Sequence, residues 1–269
     1  QAVEFSYEFL DAKRYAETSL YHDHMANVLA LKYRARPVDL ILLSDNSAFD
    51  FATSHYRKLF PQTPVVFCGI NDYTPAMRQK IPHSTGVAEI KEMGATLDAM
   101  MHLNPKLGRV AIVCDDTRTG RIDAGLIRQA AVARGLEFEM LSGGSLSLPE
   151  LLERLRELPP HAAVFFASFW RDRRGTANAV DEILPRLTEA APVPVYTHAD
   201  TFVLGGVVGG VVVNAHQQGL LAGNIAVRIL RGARPENIPV VSRSNIPVFD
   251  HAALERWQID RRLLPAGAV

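Results

Sequence analysis

The chain has 269 residues, 48% of them hydrophobic and 22% charged, with 29 basic residues against 29 acidic ones. That composition is globular rather than disordered, and a zero formal charge excludes the broad cationic field on which a phosphate-backbone binder relies, so no nucleic-acid partner is expected. No apolar run approaches the ~20 residues needed to cross a bilayer; the best candidate, Val207 to Val213, is short and contains two glycines.

In chain order, Val3 to Phe9 reads as an extended segment and Glu17 to Tyr33 as an amphipathic helix. Short, continuous β-branched runs follow at Val38 to Leu43, Pro64 to Phe67, Arg109 to Val113, Ala162 to Ala167, Val193 to Tyr196 and Val207 to Val213. Runs of this kind predict strands buried on both faces, as in a parallel sheet. Helical periodicity marks Lys91 to Leu103, Arg121 to Arg134, Leu148 to Leu158 and Leu220 to Leu230. The string Ser147-Leu148-Pro149-Glu150 is a capping box with proline in the first turn, and Gly232 stands where a helix ending at Arg231 requires a left-handed residue. Strand and helix alternation predicts an α/β fold, and the number of strands predicts two Rossmann-like lobes with parallel sheets, joined by several crossovers. Cys68 and Cys114 are expected to be unpaired buried thiols. Gln1 in place of a starting methionine leaves room for a targeting segment upstream.

Ligands of open parallel sheets bind beyond the carboxyl ends of the strands, so the loops there are the ones to read for chemistry. They carry Asp45, Asn46 and Ser47; Asn71 and Asp72; Thr119 and Arg121; Phe169, Trp170, Arg171 and Asp172; and His198 and Asp200. Any one of these polar residues also serves as an ordinary helix cap or turn former. The grouping of a large aromatic with charges at Trp170 to Asp172 exceeds what a cap needs and suits a small-molecule cleft. Two ligand chemistries stay open. Backbone amides at Asn46 and Ser47 suit the carboxylate of an amino acid or related compound, with Asp172 or Asp200 holding an ammonium. A nucleoside or other aromatic compound stacked on Trp170 fits as well. Enzymatic signatures are missing: there is no G-x-S-x-G, P-loop, H-E-x-x-H or C-x-x-C, and the glycines from Gly205 to Gly210 lack dinucleotide spacing. No catalytic residue, metal or cofactor is therefore expected, and a hydrolase built on Asp172, His198 and Asp200 is the minority alternative.

Specific strings extend this reading. Tyr7 to Arg14, Leu43-Ser44-Asp45-Asn46 with Ala48 to Phe51, Val65 to Tyr73, Ser168 to Asp172, Gly206 to Val213, and Phe249-Asp250 with Leu254 to Ile259 resemble, in that order, the substrate-binding-protein-like sensor domains of bacterial histidine kinases and diguanylate cyclases. That family is similar in fold to type I periplasmic binding proteins. The resemblance implies an extracytoplasmic domain that closes on a small ligand, tethered to a membrane-spanning signalling protein and compatible with a homodimer. A free substrate-binding protein of an ABC importer is the alternative. It further implies a first lobe of residues 1–88 and 209–236 and a second of 89–208 and 237–269. A strand and helix are expected ahead of Val3 to Phe9, the latter then being a second strand, and a transmembrane helix beyond Val269.

Overall fold

The computed structural model describes residues 3–12 and 18–269, the side chain of Arg118 excepted. Lys13 and Arg14 of the first resemblance motif, and the Glu17 start expected for the first helix, lie outside the described residues. The chain folds as two compact units, one formed by residues 1–90 and 215–244 and the other by residues 91–214 and 245–269.

The first unit holds α1 (Ser19–Tyr33), β1 (Ile41–Ser44), α2 (Asp45–Leu59), β2 (Val65–Asn71), α3 (Pro75–Lys80), β3 (Ser84–Glu89) and α8 (Ala215–Leu230). Its three strands pair in parallel in the order β1-β2-β3. Alternation along β2 separates two cores: Val65 and Phe67 pack with Phe49, Ala52 and Tyr56 of α2, whereas Val66 packs with Ala222, Ile225 and Ile229 of α8. Gly232, with φ +100, ends α8 as the sequence indicates. Val3 to Phe9, expected to be a strand, is not one; its apolar side chains Val3, Phe5, Tyr7 and Phe9 are 56% to 73% exposed. The alternation is strand-like, but an isolated extended segment lacks the ladder hydrogen bonds that make a strand. A groove of about 1970 Å³ lies along it, lined also by Leu42 of β1 and by Leu220 and Val227 of α8.

The second unit is built on a six-stranded sheet in the order β5-β4-β6-β7-β8-β9, parallel except for β9. Its strands are β4 (Arg109–Cys114), β5 (Glu137–Ser142), β6 (Ala162–Phe166), β7 (Val195–Thr197), β8 (Gly209–Val212) and β9 (Ile246–Phe249). Its helices are α4 (Met93–Leu103), α5 (Arg118–Val132), α6 (Leu148–Arg156), α7 (Val180–Ala190) and α9 (His251–Arg256). Residues of β4 alternate between two cores, with Val110, Ile112 and Cys114 on the side of α4 and α5, and Ala111 and Val113 on the side of α6 and α7. The predicted capping box forms: Glu150 Oε2 accepts from the Ser147 N–H at 2.8 Å and from its hydroxyl at 2.5 Å.

The unit boundaries differ from those expected at 208/209 and 236/237. They fall at 214/215 and 244/245, because β8 pairs with β7 and β9 and so belongs to the six-stranded sheet. Gly209 makes that pairing possible. It has φ +120, and a Cβ there would lie 2.0 Å from the Val248 carbonyl oxygen. Cys68 and Cys114 are free thiols in separate units.

Candidate functional site

Both sheets end, at the carboxyl ends of their strands, in clusters of polar residues. In the first unit, Asp45 opens α2 directly after β1 with φ +76, and Asp72 follows β2 with φ +54. Positive φ at a residue with a side chain is a local strain, of the kind that concentrates at functional sites. Asn46 and Asn71 stitch the two strand ends together: Asn46 Oδ1 accepts from the Asn71 N–H at 2.9 Å, and Asn46 Nδ2 donates to the Asn71 carbonyl at 3.3 Å. Asp45 is exposed and its Oδ1 accepts from the Asn46 N–H at 2.6 Å; Ser47 is half-buried on the first turn of α2. Gly69, at φ +67, donates its N–H to Gln218 Oε1 at 2.7 Å, which fixes the orientation of that carboxamide. Gln218 is 3% exposed, and its Nε2 has no hydrogen-bond partner among the described residues.

In the second unit the organising group is Asp115, fully buried at the end of β4. Its Oδ1 accepts from the N–H and hydroxyl of Thr117, the N-cap of α5, at 3.0 and 2.5 Å; its Oδ2 accepts from the Trp170 N–H at 2.8 Å. One carboxylate thus ties the loops after β4 and β6 and holds the Trp170 backbone in place. The Trp170 side chain is 47% exposed. Its ring centroid lies 6.2 Å from that of Phe202, which in turn lies 6.2 Å from His198. His198 follows β7 and is buried; its Nε2 lies 3.4 Å from Asp123 Oδ2, and Asp123 also accepts from Lys91 Nζ at 2.9 and 3.1 Å. Burial pushes the Asp123 carboxyl up, but the bonds from His198 and Lys91 outweigh it and hold the group below its ordinary value. The Ser168 hydroxyl and His198 Nδ1 have no hydrogen-bond partner among the described residues. Such orphans cost about 1–3 kcal/mol each, and here they gather where ligands of parallel sheets bind.

Several residues picked from sequence stand elsewhere. Phe169 is completely buried among Leu148, Leu151 and Val180, so it supports the loop from the core rather than meeting a ligand. Asp172 is a knot: its Oδ1 accepts from the N–H groups of Arg174 and Thr176 at 2.9 and 3.0 Å, and its Oδ2 from that of Leu148 at 3.3 Å. Burial raises its carboxyl, the backbone amides of Thr176, Leu148 and Arg174 lower it, and the amides prevail. With both oxygens engaged, it is not placed to hold a ligand ammonium. Arg121 is exposed and paired with Asp116 at 3.1 Å, while Thr119 and Arg171 are exposed. Asp200 Oδ2 accepts from Asn214 Nδ2 at 2.9 Å. Residues that reading by loops missed, Asp123 and Gln218, do leave a signal. Each is a polar residue on the buried face of a helix, four positions before Ile127 and Ala222 respectively.

Two α/β units whose parallel strands end in polar, partly unsatisfied clusters define a fold of the type I periplasmic binding protein kind. The chain belongs to the family described as ABC transporter substrate binding protein, whose model matches residues 39–260. Among solved structures it is similar to a ligand-free, open substrate binding protein with adhesive properties from Clostridium difficile, with TM-score 0.68, 14% identity, and 92% of this chain and 83% of that one covered. It is also similar to an ABC domain from Streptococcus pneumonia in complex with L-Trp, with TM-score 0.56, 17% identity, and 92% and 84% covered. A third is an ABC transporter solute binding protein from Bacillus halodurans with bound myo-inositol, with TM-score 0.51, 13% identity, and 88% and 83% covered. At these identities the likeness is one of fold. No curated protein matches the chain. No helix among the described residues is long and apolar enough to cross a membrane.

Proposed function

We propose that this chain is the extracytoplasmic substrate-binding protein of an ABC importer, which takes up a small molecule and does no chemistry on it. The observation that carries the reading is the strand-end cluster of the second unit. There Asp115 presents a half-exposed Trp170 beside Phe202, and buried Ser168 and His198 each keep an unused hydrogen-bonding atom. In the first unit, Asn46, Asn71, Asp72 and Gln218 form a strand-end cluster of their own. The family description supports an importer component over the sensor domain of a kinase or cyclase. A hydrolase finds less support, because Asp172 is taken up by backbone amides, while His198 meets Asp123 and Asp200 accepts from Asn214.

The aromatic wall favours a ligand with a flat or apolar face over a purely polar one. The test is mass spectrometry of small molecules released from gently denatured protein, followed by a thermal-shift panel that includes L-tryptophan and myo-inositol. A released compound that raises the melting temperature reversibly is the expected result. Turnover of that compound would instead favour the enzyme.

A further inference from the structure

Buried ionisable groups are costly unless paired, so the trio of Lys91, Asp123 and His198 calls for an account of its protons. The three side chains are 15%, 3% and 5% exposed. A carboxylate only accepts, so the atom of His198 that meets Asp123 at 3.4 Å, Nε2, is the one that carries hydrogen. Lys91 already cancels the charge of Asp123 through two contacts. The pair is thereby charge-balanced with a single hydrogen on the imidazole, the one at Nε2. Phe165 and Phe202 stand beside it, with ring centroids 6.3 and 6.2 Å away, and offer no donor. Nδ1 is left as an acceptor without a partner among the described residues.

We propose that Asp123, neutralised by Lys91, fixes His198 as its Nε2–H tautomer, so that Nδ1 selects bound molecules carrying an O–H or N–H donor. Asp123 and Lys91 are positioning residues; His198 is the contact. The Ser168 hydroxyl, another such orphan, donates as readily as it accepts and does not discriminate, whereas a neutral Nδ1 rejects any group that brings no hydrogen. The inference rests on the binding reading above and deepens it, because it names the chemistry the second unit recognises.

The experiment uses the full chain, 15N-labelled, with imidazole nitrogens assigned by comparison with His198→Phe. In the free protein, Nε2 of His198 is expected to be protonated and Nδ1 not, and Asp123→Asn is expected to weaken that preference. Four small probes are then added: indole and phenol, and their donor-free counterparts 1-methylindole and toluene. All four are expected to move the Trp170 indole resonance, but only indole and phenol to move His198 Nδ1. His198→Phe is expected to weaken indole about ten-fold and leave 1-methylindole unchanged. A protonated Nδ1 in the free protein overturns the proposal, as does an equal response at Nδ1 to methylated and unmethylated probes or a response to none of them. If no probe reaches Trp170 either, it is the binding reading that fails.

Discussion

Replacing Asp172 with Asn separates a loop-building carboxylate from a ligand-binding one. The carboxylate of Asp172 receives three backbone N–H groups, at 2.9, 3.0 and 3.3 Å, together with the Thr176 side chain. A carboxamide of the same shape keeps one accepting oxygen, so it can serve Arg174 and Thr176 but turns an NH2 toward the Leu148 N–H. Two hydrogen bonds to a charged acceptor become bonds to a neutral one, at a loss of roughly 1 kcal/mol each, and one buried amide is left unpaired for about another 1 kcal/mol or more. The sum is about 3 kcal/mol before relaxation and about 2 after the loop adjusts. At about 2–4 °C per kcal/mol for a chain of this size, the melting temperature at neutral pH should fall by about 4–8 °C. Affinity for the released ligand should be unchanged. The pH dependence has a definite sign: the folded value of this carboxyl is lowered, so its contribution is fully present above the ordinary value near 3.9 and disappears as pH falls through the lowered one. The gap between wild type and Asp172→Asn should therefore close in acid. Differential scanning calorimetry across pH 2.5 to 7, and titration calorimetry at pH 7, measure both halves. An unchanged melting temperature with a ten-fold loss of affinity would refute the reasoning and restore Asp172 as a ligand contact.

Two other expectations follow from the packing. Cys114 is 2% exposed and burial pushes its thiol up to about 11, so at neutral pH it should resist a thiol reagent in the native protein, and two thiols should titrate after denaturation without reductant. Gly209→Ala should destabilise the second unit by several kcal/mol, because both its φ of +120 and the 2.0 Å approach to the Val248 carbonyl exclude a methyl group; a melting temperature within 2 °C of wild type would contradict this.

Much of the architecture was legible because buried parallel strands announce themselves as unbroken apolar runs, and all six such runs overlap strands of the two sheets. What escaped did so for local reasons. The strand Ser84–Glu89 begins with two hydroxyl residues and a glycine and looks like a turn, but Ser84 donates to the Ile81 carbonyl and Thr85 to that of Ile238, so both are buried at no cost in unpaired groups. Pro185 lies inside the helix Val180–Ala190 and masks its periodicity. The edge strand Glu137–Ser142 alternates polar and apolar residues and has no continuous run. The candidate cluster was found in outline, since reading the loops after each strand reaches Asn46, Asn71, Trp170 and His198. Residue type alone could not say which carboxylates are free: Asp172 is consumed by backbone amides donated by Leu148, Arg174 and Thr176, and that only the folded loop reveals.

The claim that the second unit's aromatic wall binds the ligand is tested most directly at Trp170. With the compound released from the purified protein, titration calorimetry of Trp170→Ala should show affinity reduced by about 1–3 kcal/mol, roughly 5- to 150-fold, while the ligand-free melting temperature changes by less than 3 °C, because nearly half of the side chain is already exposed. Wild-type affinity in a folded Trp170→Ala protein, or a large fall in its melting temperature with affinity intact, would contradict the account.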